Sequence, residues 1–137
     1  MKILVVDAQG GGLGKQIISK IKEVKPDSYV IAVGTNTEAT NAMRKAGADI
    51  SATGENAVVV NSRTADVICG PIGIVIADSL YGEITPVMAT AIAQSKATRL
   101  LIPVNRCENI IVGVPKPNLT AMVDFLVEEL LKLDTEK

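Results

Sequence analysis

The chain begins MKILVVDAQGGGLGK (residues 1–15), and this stretch decides the fold class. Residues 3–6 form a continuous apolar run, as expected of a parallel strand that is buried on both faces. Glycines follow at once, and then Leu13, Ile17 and Ile21 recur at helical spacing until Pro26 stops the pattern. A strand, a glycine-rich turn and an amphipathic helix in this order predict the first unit of an open α/β sheet.

Strand and helix patterns alternate along the rest of the chain. Further strands or extended stretches are predicted over residues 29–33, 48–52, 66–69, 73–77, 99–104 and 109–114. Helices are predicted from Asn36 or Thr37 to Gly47, over residues 54–62, from Thr85 to Ser95, and from Asn118 onward. Residues 54–62 are assigned to a helix by topology, although three consecutive valines there favour a strand. The prediction is a single three-layer Rossmann-like α/β domain over residues 1–137, with a mostly parallel sheet and right-handed crossovers.

The composition excludes several classes of protein. A net charge of −1 and 2% aromatic residues argue against a nucleic-acid interface, which needs basic patches and stacking rings. No apolar run is long enough for a membrane span, and the N-terminus does not have the pattern of a signal peptide, so we expect a cytoplasmic protein. The chain has no histidine and two distant cysteines, so no metal site is expected and the cysteines are expected to be thiols.

Small, polar, glycine-rich segments follow the predicted strands, whose carboxyl ends meet at one edge of a parallel sheet, where ligands bind. Glycine allows close approach of the backbone, and the start of the following helix presents free N–H groups to an anion. A tight turn without a ligand is the alternative for this loop. The predicted ligand is a phosphate-bearing molecule, with a nucleotide or dinucleotide as the cofactor class, and its candidate contacts are Gln9, Gly10, Gly11, Gly12, Gly14, Lys15, Thr35, Asn36, Thr53, Gly54, Glu55, Asn56, Gly70, Asn105 and Arg106.

Two known glycine motifs resemble residues 7–15 without matching them. In the short-chain dehydrogenase pattern Thr-Gly-x-x-x-Gly-x-Gly, Gly12 and Gly14 match, but Asp7 and Ala8 replace Thr and Gly. The catalytic Tyr-x-x-x-Lys of that family is absent, and no acidic residue ends the second strand to hold a ribose. The P-loop core Gly-Gly-x-Gly-Lys is present, but Gln16 replaces the Ser or Thr that holds magnesium. Hydride transfer and ATP hydrolysis are therefore both disfavoured.

Candidate catalytic residues are few because histidine is missing. A carboxylate at a strand end can serve as a general base, and a thiol beside Arg106 can become nucleophilic. Local capping of backbone N–H groups and a buried structural thiol are the respective alternatives. The candidates are Asp7, Asp78, Glu55 and Cys107. Residues 83–86 are explained by the helix cap at Thr85 alone.

A resemblance over nearly the whole chain is carried by residues 7–15, 34–36, 48–56, 70–74, 82–86 and 102–112. The specific motifs among them are Gly-Gly-Gly-x-Gly-Lys at 10–15, Ala-Thr-Gly-Glu-Asn at 52–56 and Pro-x-Asn-Arg-Cys at 103–107. The combination resembles a bacterial domain-of-unknown-function family, number 3842, in which position 8 is typically Gly where this chain has Ala8. The resemblance implies one compact domain and brings no established activity.

Three hypotheses for the function therefore stay open. The first is a module that binds a nucleotide or phosphometabolite. The second is a small histidine-free enzyme on the same sheet edge. The third is an interaction subunit without a ligand. The broad apolar stripe of the last helix is most simply core, with extension into a homodimer interface as the alternative.

Overall fold

A computed structural model describes residues 1–104, 108–114 and 118–135. Within these ranges, strands and helices alternate along the chain, as the sequence predicts. The strands are β1 (Lys2–Asp7), β2 (Tyr29–Gly34), β3 (Ile50–Thr53), β4 (Val67–Pro71) and β5 (Thr98–Ile102). The helices are α1 (Gly12–Val24), α2 (Thr37–Lys45), α3 (Glu55–Ser62), α4 (Pro86–Gln94) and α5 (Leu119–Thr135), and a 3₁₀ turn (Ile72–Val75) follows β4.

The five strands form one sheet in the order β3-β2-β1-β4-β5, and every neighbouring pair is parallel. In the central strands, Val5 of β1 lies opposite Ala32 of β2 and Cys69 of β4. Alternate side chains of β1 enter opposite cores, with Ile3 on one face and Leu4 on the other, and both are buried. The predicted α/β class with a mostly parallel sheet is confirmed, and the sheet is parallel throughout.

Helices cover both faces of this sheet and complete three layers. On one face α1 packs between α2 and α5, and on the other α3 packs against α4, which also contacts the 3₁₀ turn. Both faces of the strands are therefore removed from water, which explains their continuous apolar runs. None of the helices in the described ranges has the length and hydrophobicity needed to cross a lipid bilayer.

Two apolar stretches do not form the strands predicted for them. Residues 73–75 belong to the 3₁₀ turn instead, and residues 76 and 77 continue into a bend and a turn. Ile74 packs its side chain into the core on the α4 face. Asp78 accordingly follows a turn, not a strand. Residues 109–114 contain no strand, and Ile110 and Val112 are 84% and 93% exposed. The apolar run at residues 109–114 therefore does not mark a buried strand of the sheet.

Capping residues at the starts of helices predict structure more reliably than these two apolar runs do. Asn36 caps α2 by accepting the Ala39 N–H at 2.9 Å, and Thr85 caps α4 by accepting the Met88 N–H at 3.2 Å. A side-chain oxygen at such a position satisfies a backbone donor that the helix leaves free. The helix predicted over residues 54–62 is also confirmed, as α3.

Candidate functional site

The carboxyl ends of the strands meet at one edge, and the strand order reverses there between β1 and β4. From β1 the chain proceeds through β2 to β3 on one side, and then crosses to β4 and β5 on the other. In open α/β sheets such a reversal leaves a crevice between diverging loops, and ligands bind in it. The glycine loop, residues 8–12, follows β1 at this point.

Two glycines of this region are required by packing. Gly11 has φ 73°, and a Cβ added to it would lie 2.8 Å from the Cα of Ala39 in α2. A Cβ on Gly14 would lie 2.5 Å from the Sδ of Met43 and 3.0 Å from the Cβ of Asp7. Both glycines therefore let α1 approach α2 and the sheet closely, and neither needs a ligand to explain it.

Gly70, a predicted ligand contact, is likewise required by packing. It is buried in β4, and a Cβ on it would lie 2.5 Å from the carbonyl oxygen of Val6 in β1. Gly34 at the end of β2 is constrained similarly, since its Cβ would lie 2.5 Å from the Thr40 nitrogen. These glycines set how closely neighbouring elements approach one another at the edge.

Gly10 and Gly12 differ from all of these. Both are exposed and neither has positive φ. A Cβ on Gly12 would meet no atom within 4 Å, and one on Gly10 would meet only the Oε1 of Glu38, at 3.9 Å. Their N–H groups make no hydrogen bond to another described residue. Neither packing nor backbone conformation explains glycine at these two positions.

A cavity of about 430 Å³ adjoins the glycine loop. Gly10 and Gly12 line it, together with Gln16 of α1, Val104 after β5 and Leu119 at the start of α5. The predicted phosphate contact Lys15 lies elsewhere, in a separate groove between α1 and α5. The described wall of the cavity therefore carries backbone donors and neutral side chains, with Asp7 as its charged group.

Asp7 ends β1 and is buried beneath the glycine loop. Its Oδ1 accepts the Ala8 N–H at 2.8 Å, and its Oδ2 accepts the Gly14 N–H at 2.7 Å. Burial raises the pKa of Asp7 above its ordinary value and the nearby charge of Glu83 raises it further, although the N–H donors oppose the change. Both oxygens are thus used to hold the loop and the first turn of α1 in place.

Glu83, in the loop before α4, contacts the glycine loop at Gln9. Its Oε1 accepts three hydrogen bonds, from the Gln9 N–H at 2.9 Å, the Thr35 hydroxyl at 2.7 Å and the Asn36 side-chain amide at 2.8 Å. We refer to this arrangement as the Glu83 clasp. It fixes the glycine loop against the end of β2, and it uses the donors of two residues, Thr35 and Asn36, that the sequence predicts as ligand contacts.

The segment that carries Glu83 is tightly folded. The Asp78 N–H donates to the Ile84 carbonyl at 2.7 Å, and the Ser79 hydroxyl donates to the Gly73 carbonyl. Leu80 and Ile84 bury their side chains in the core on the α4 face. Four residues of this segment have positive φ, namely Asp78, Leu80, Tyr81 and Gly82. The position of Glu83 is thus set by a compact turn with two buried anchors.

The candidate contacts at the end of β3 share the same edge and pair with neighbouring helices. The Thr53 and Thr40 hydroxyls lie 2.7 Å apart, and the Thr85 hydroxyl donates to Glu55 Oε2 at 2.6 Å. Gly54 has φ 104° and begins α3, and Asn56 is exposed in its first turn. Glu55 therefore supports the start of α4, two residues after Glu83.

The candidate catalytic residues are not gathered in one cavity. Asp7 lines the cavity beside the glycine loop, whereas Asp78 lines a different one with Ser79, Tyr81 and Glu108. Asn105, Arg106 and Cys107 lie outside the described residues. Among the described Cys, Asp and Glu side chains, no group of three is placed to hold a metal ion.

Glu83 is the residue of this edge that sequence reasoning missed. Its partner Gln9 is 74 positions away, and no spacing or motif signals such a pairing. The segment around it was attributed to the cap at Thr85, which is correct for Thr85 alone. A usable signal was the missing acid after β2, because it raises the question of which other loop supplies a carboxylate there.

Comparisons with known proteins give a family and a distant structural likeness. The family model described as Domain of unknown function (DUF3842) matches residues 2–135. No curated protein matches the chain. The crystal structure of a dodecameric FMN-dependent UbiX-like decarboxylase from Escherichia coli O157:H7 is similar with a TM-score of 0.48 and 15% identity, over 95% of this chain and 94% of that one.

Proposed function

The chain belongs to the family described as Domain of unknown function (DUF3842), and we propose that it binds a nucleotide or another small phosphate-bearing molecule at the glycine loop. Since the family brings no activity, the proposal rests on the geometry of the loop. One observation carries it, namely that Gly10 and Gly12 are open, exposed glycines whose N–H groups have no partner among the described residues.

The position of the loop supports this reading. Glycine without a packing role lets a ligand come against the backbone itself, and exposed N–H groups at the start of a helix suit an anion. Gly12 is the first residue of α1, and the loop borders a cavity at the reversal of strand order. We therefore assign the phosphate to the Gly12 end of the loop.

Asp7 bears on the choice between binding and catalysis. Both of its oxygens accept backbone N–H groups, and a proton taken up by either oxygen would weaken the hydrogen bonds that hold the loop. This use of both oxygens supports a binding module.

Gly12→Asp separates binding from stability. A side chain at position 12 meets no atom within 4 Å, and a carboxylate in the first turn of a helix is favourable, so the variant should unfold at the same or a slightly higher temperature. A phosphate beside that carboxylate meets repulsion of several kcal/mol, and we expect binding to weaken about 100-fold or more. Isothermal titration calorimetry after a thermal-shift screen of nucleotides and sugar phosphates measures it.

Two glycine variants serve as matched controls. Gly12→Ala adds a small neutral group in the same open space, so it should retain stability and should weaken binding less than Gly12→Asp does, because it adds bulk without charge. Gly14→Ala forces Met43 to move and should lower the free energy of unfolding by about 1–3 kcal/mol. Equal affinity in wild type and Gly12→Asp would reject the loop as the site. Absence of binding to every probe would favour an interaction subunit.

A further inference from the structure

The acid that open α/β folds place after the second strand is absent from β2. In dinucleotide-binding folds this acid accepts the ribose 2′-hydroxyl, close to the first glycine of the loop. Here β2 ends in Gly34, and Thr35 and Asn36 follow. Both of their side chains donate to Glu83, which is also bound by the N–H of Gln9 next to the first glycine. A carboxylate thus stands at that place, supplied by a different loop.

Only one oxygen of this carboxylate is used by the clasp. The three donors all reach Oε1, and Oε2 makes no hydrogen bond with the described part of the chain. An ionised carboxylate accepts hydrogen bonds and donates none. A ligand group that reaches Oε2 must therefore bring donors, as a hydroxyl does, and a phosphate is unsuitable there.

The charge state of Glu83 agrees with an acceptor role. Partial burial alone raises the pKa of Glu83, but the hydrogen bonds from Thr35, the Gln9 N–H and Asn36 outweigh it and hold the pKa below its ordinary value. Glu83 is therefore ionised at neutral pH. Glu38 in the first turn of α2 adds a second carboxylate close to Gly10.

The two ends of the glycine loop consequently favour different parts of one ligand. The Gln9–Gly10 end faces carboxylates, and the Gly12 end presents the N-terminal N–H groups of α1. We propose that Glu83 accepts the ribose hydroxyls of the nucleotide bound at this loop and thereby selects ribonucleotides with a free 2′-hydroxyl. This inference rests on the proposed function, since it assigns the sugar while Gly12 holds the phosphate.

The test compares eight probes by calorimetry on the full chain. They are AMP, GMP, CMP and UMP, and the 2′-deoxy form of each. A hydrogen bond from a hydroxyl to a charged acceptor contributes enough that its loss weakens binding by about tenfold to 100-fold. At least one ribonucleotide should therefore bind that much more tightly than its 2′-deoxy form. Adenosine 2′,5′-bisphosphate should bind more weakly than AMP, because its 2′-phosphate faces Glu83.

Glu83→Gln identifies the residue responsible. The amide oxygen of Gln still accepts the three donors of the clasp, and its amide group replaces Oε2 with a donor. The preference for the ribonucleotide should fall to about twofold or less, and adenosine 2′,5′-bisphosphate should bind more tightly than it does to wild type. Glu128→Gln, at an exposed position of α5, makes the same change of charge away from the site. It should leave intact both the preference for the ribonucleotide and the preference for AMP over adenosine 2′,5′-bisphosphate.

The outcomes separate the two proposals. Equal binding of ribose and 2′-deoxy probes to wild type, or an unchanged preference in Glu83→Gln, would overturn the role of Glu83 and leave the phosphate site standing. Failure of Gly12→Asp to weaken binding would overturn the loop as the site. If no probe binds wild type, the proposed function fails, and the ribose inference fails with it.

Discussion

Glu83 stabilises the fold as well as shaping the site, and its contribution depends on pH. A carboxyl group whose pKa is lower in the folded protein than in the unfolded chain stabilises the folded state at pH values above its unfolded pKa. That stabilisation is lost as the pH falls through the lower, folded value. For Glu83 the loss begins below its ordinary pKa of 4.5.

The pH dependence of Glu83→Gln follows from this sign. At neutral pH the variant replaces a charged acceptor with a neutral one for three donors, and we expect its free energy of unfolding to be about 1 kcal/mol lower than that of wild type. The difference should shrink towards zero as the pH falls below 4.5, where wild-type Glu83 takes up a proton. Urea unfolding at a series of pH values measures it, and a difference that stays constant would contradict the clasp.

At the same scale, the residues that sequence reasoning identified are those with local partners. Asn36 and Thr85 bind N–H groups three positions ahead, so the pattern of the helix start reveals them. The Glu83 clasp connects residues from three separate loops, and only the folded chain brings them together. The sequence also does not distinguish the open glycines, Gly10 and Gly12, from the packed ones, Gly11 and Gly14. The difference is that residues of α2 pack against Gly11 and Gly14.

Among the elements, α3 shows how topology overrides local preference. Val58, Val59 and Val60 have branched side chains that favour strands, yet the crossover from β3 to β4 requires a helix. The sequence could predict this helix only from the alternation around it. Elsewhere apolar composition misled, since Gly73 and Ile74 are buried in a 3₁₀ turn and residues 109–114 include highly exposed side chains.

Substitutions in α3 separate propensity from packing. Val60 is 44% exposed, and Val60→Ala should raise the free energy of unfolding by about 0.5 kcal/mol, because alanine favours the helix more than valine does. Val58 is fully buried, and Val58→Ala should lower it by about 2 kcal/mol through the cavity it leaves. Thermal and urea unfolding measure both changes, and a destabilised Val60→Ala would show that packing dominates at that position too.

For the whole molecule, the prediction from sequence that we still expect to hold is a single cooperative domain. The reactivity of Cys69, which lies in the interior of the sheet, tests whether the domain unfolds as one unit. It is fully buried in β4, and burial raises the pKa of its thiol to about 12, so the thiol is neither accessible nor ionised in the folded protein. Its reaction with a thiol reagent should require global unfolding.

The measurement uses a Cys107→Ser variant, so that Cys69 is the one thiol left to label. Labelling across a urea series, read by mass spectrometry, should follow the same transition as the far-ultraviolet circular dichroism signal. Labelling at urea concentrations that leave the dichroism native would show that β4 opens separately and would argue against one cooperative unit.

Under the proposed role of Glu83, the clasp also makes ligand preference a modular property of the chain. In this protein the acidic side chain at the end of β2 comes from residues 76–85, a folded loop that joins β4 to α4 and is anchored by Leu80 and Ile84. A relative that exchanges this loop while keeping its two anchors would change the sugar it accepts and leave every strand and the glycine loop as they are. Selectivity can then diverge by loop replacement, while the sheet and the proposed phosphate site stay the same.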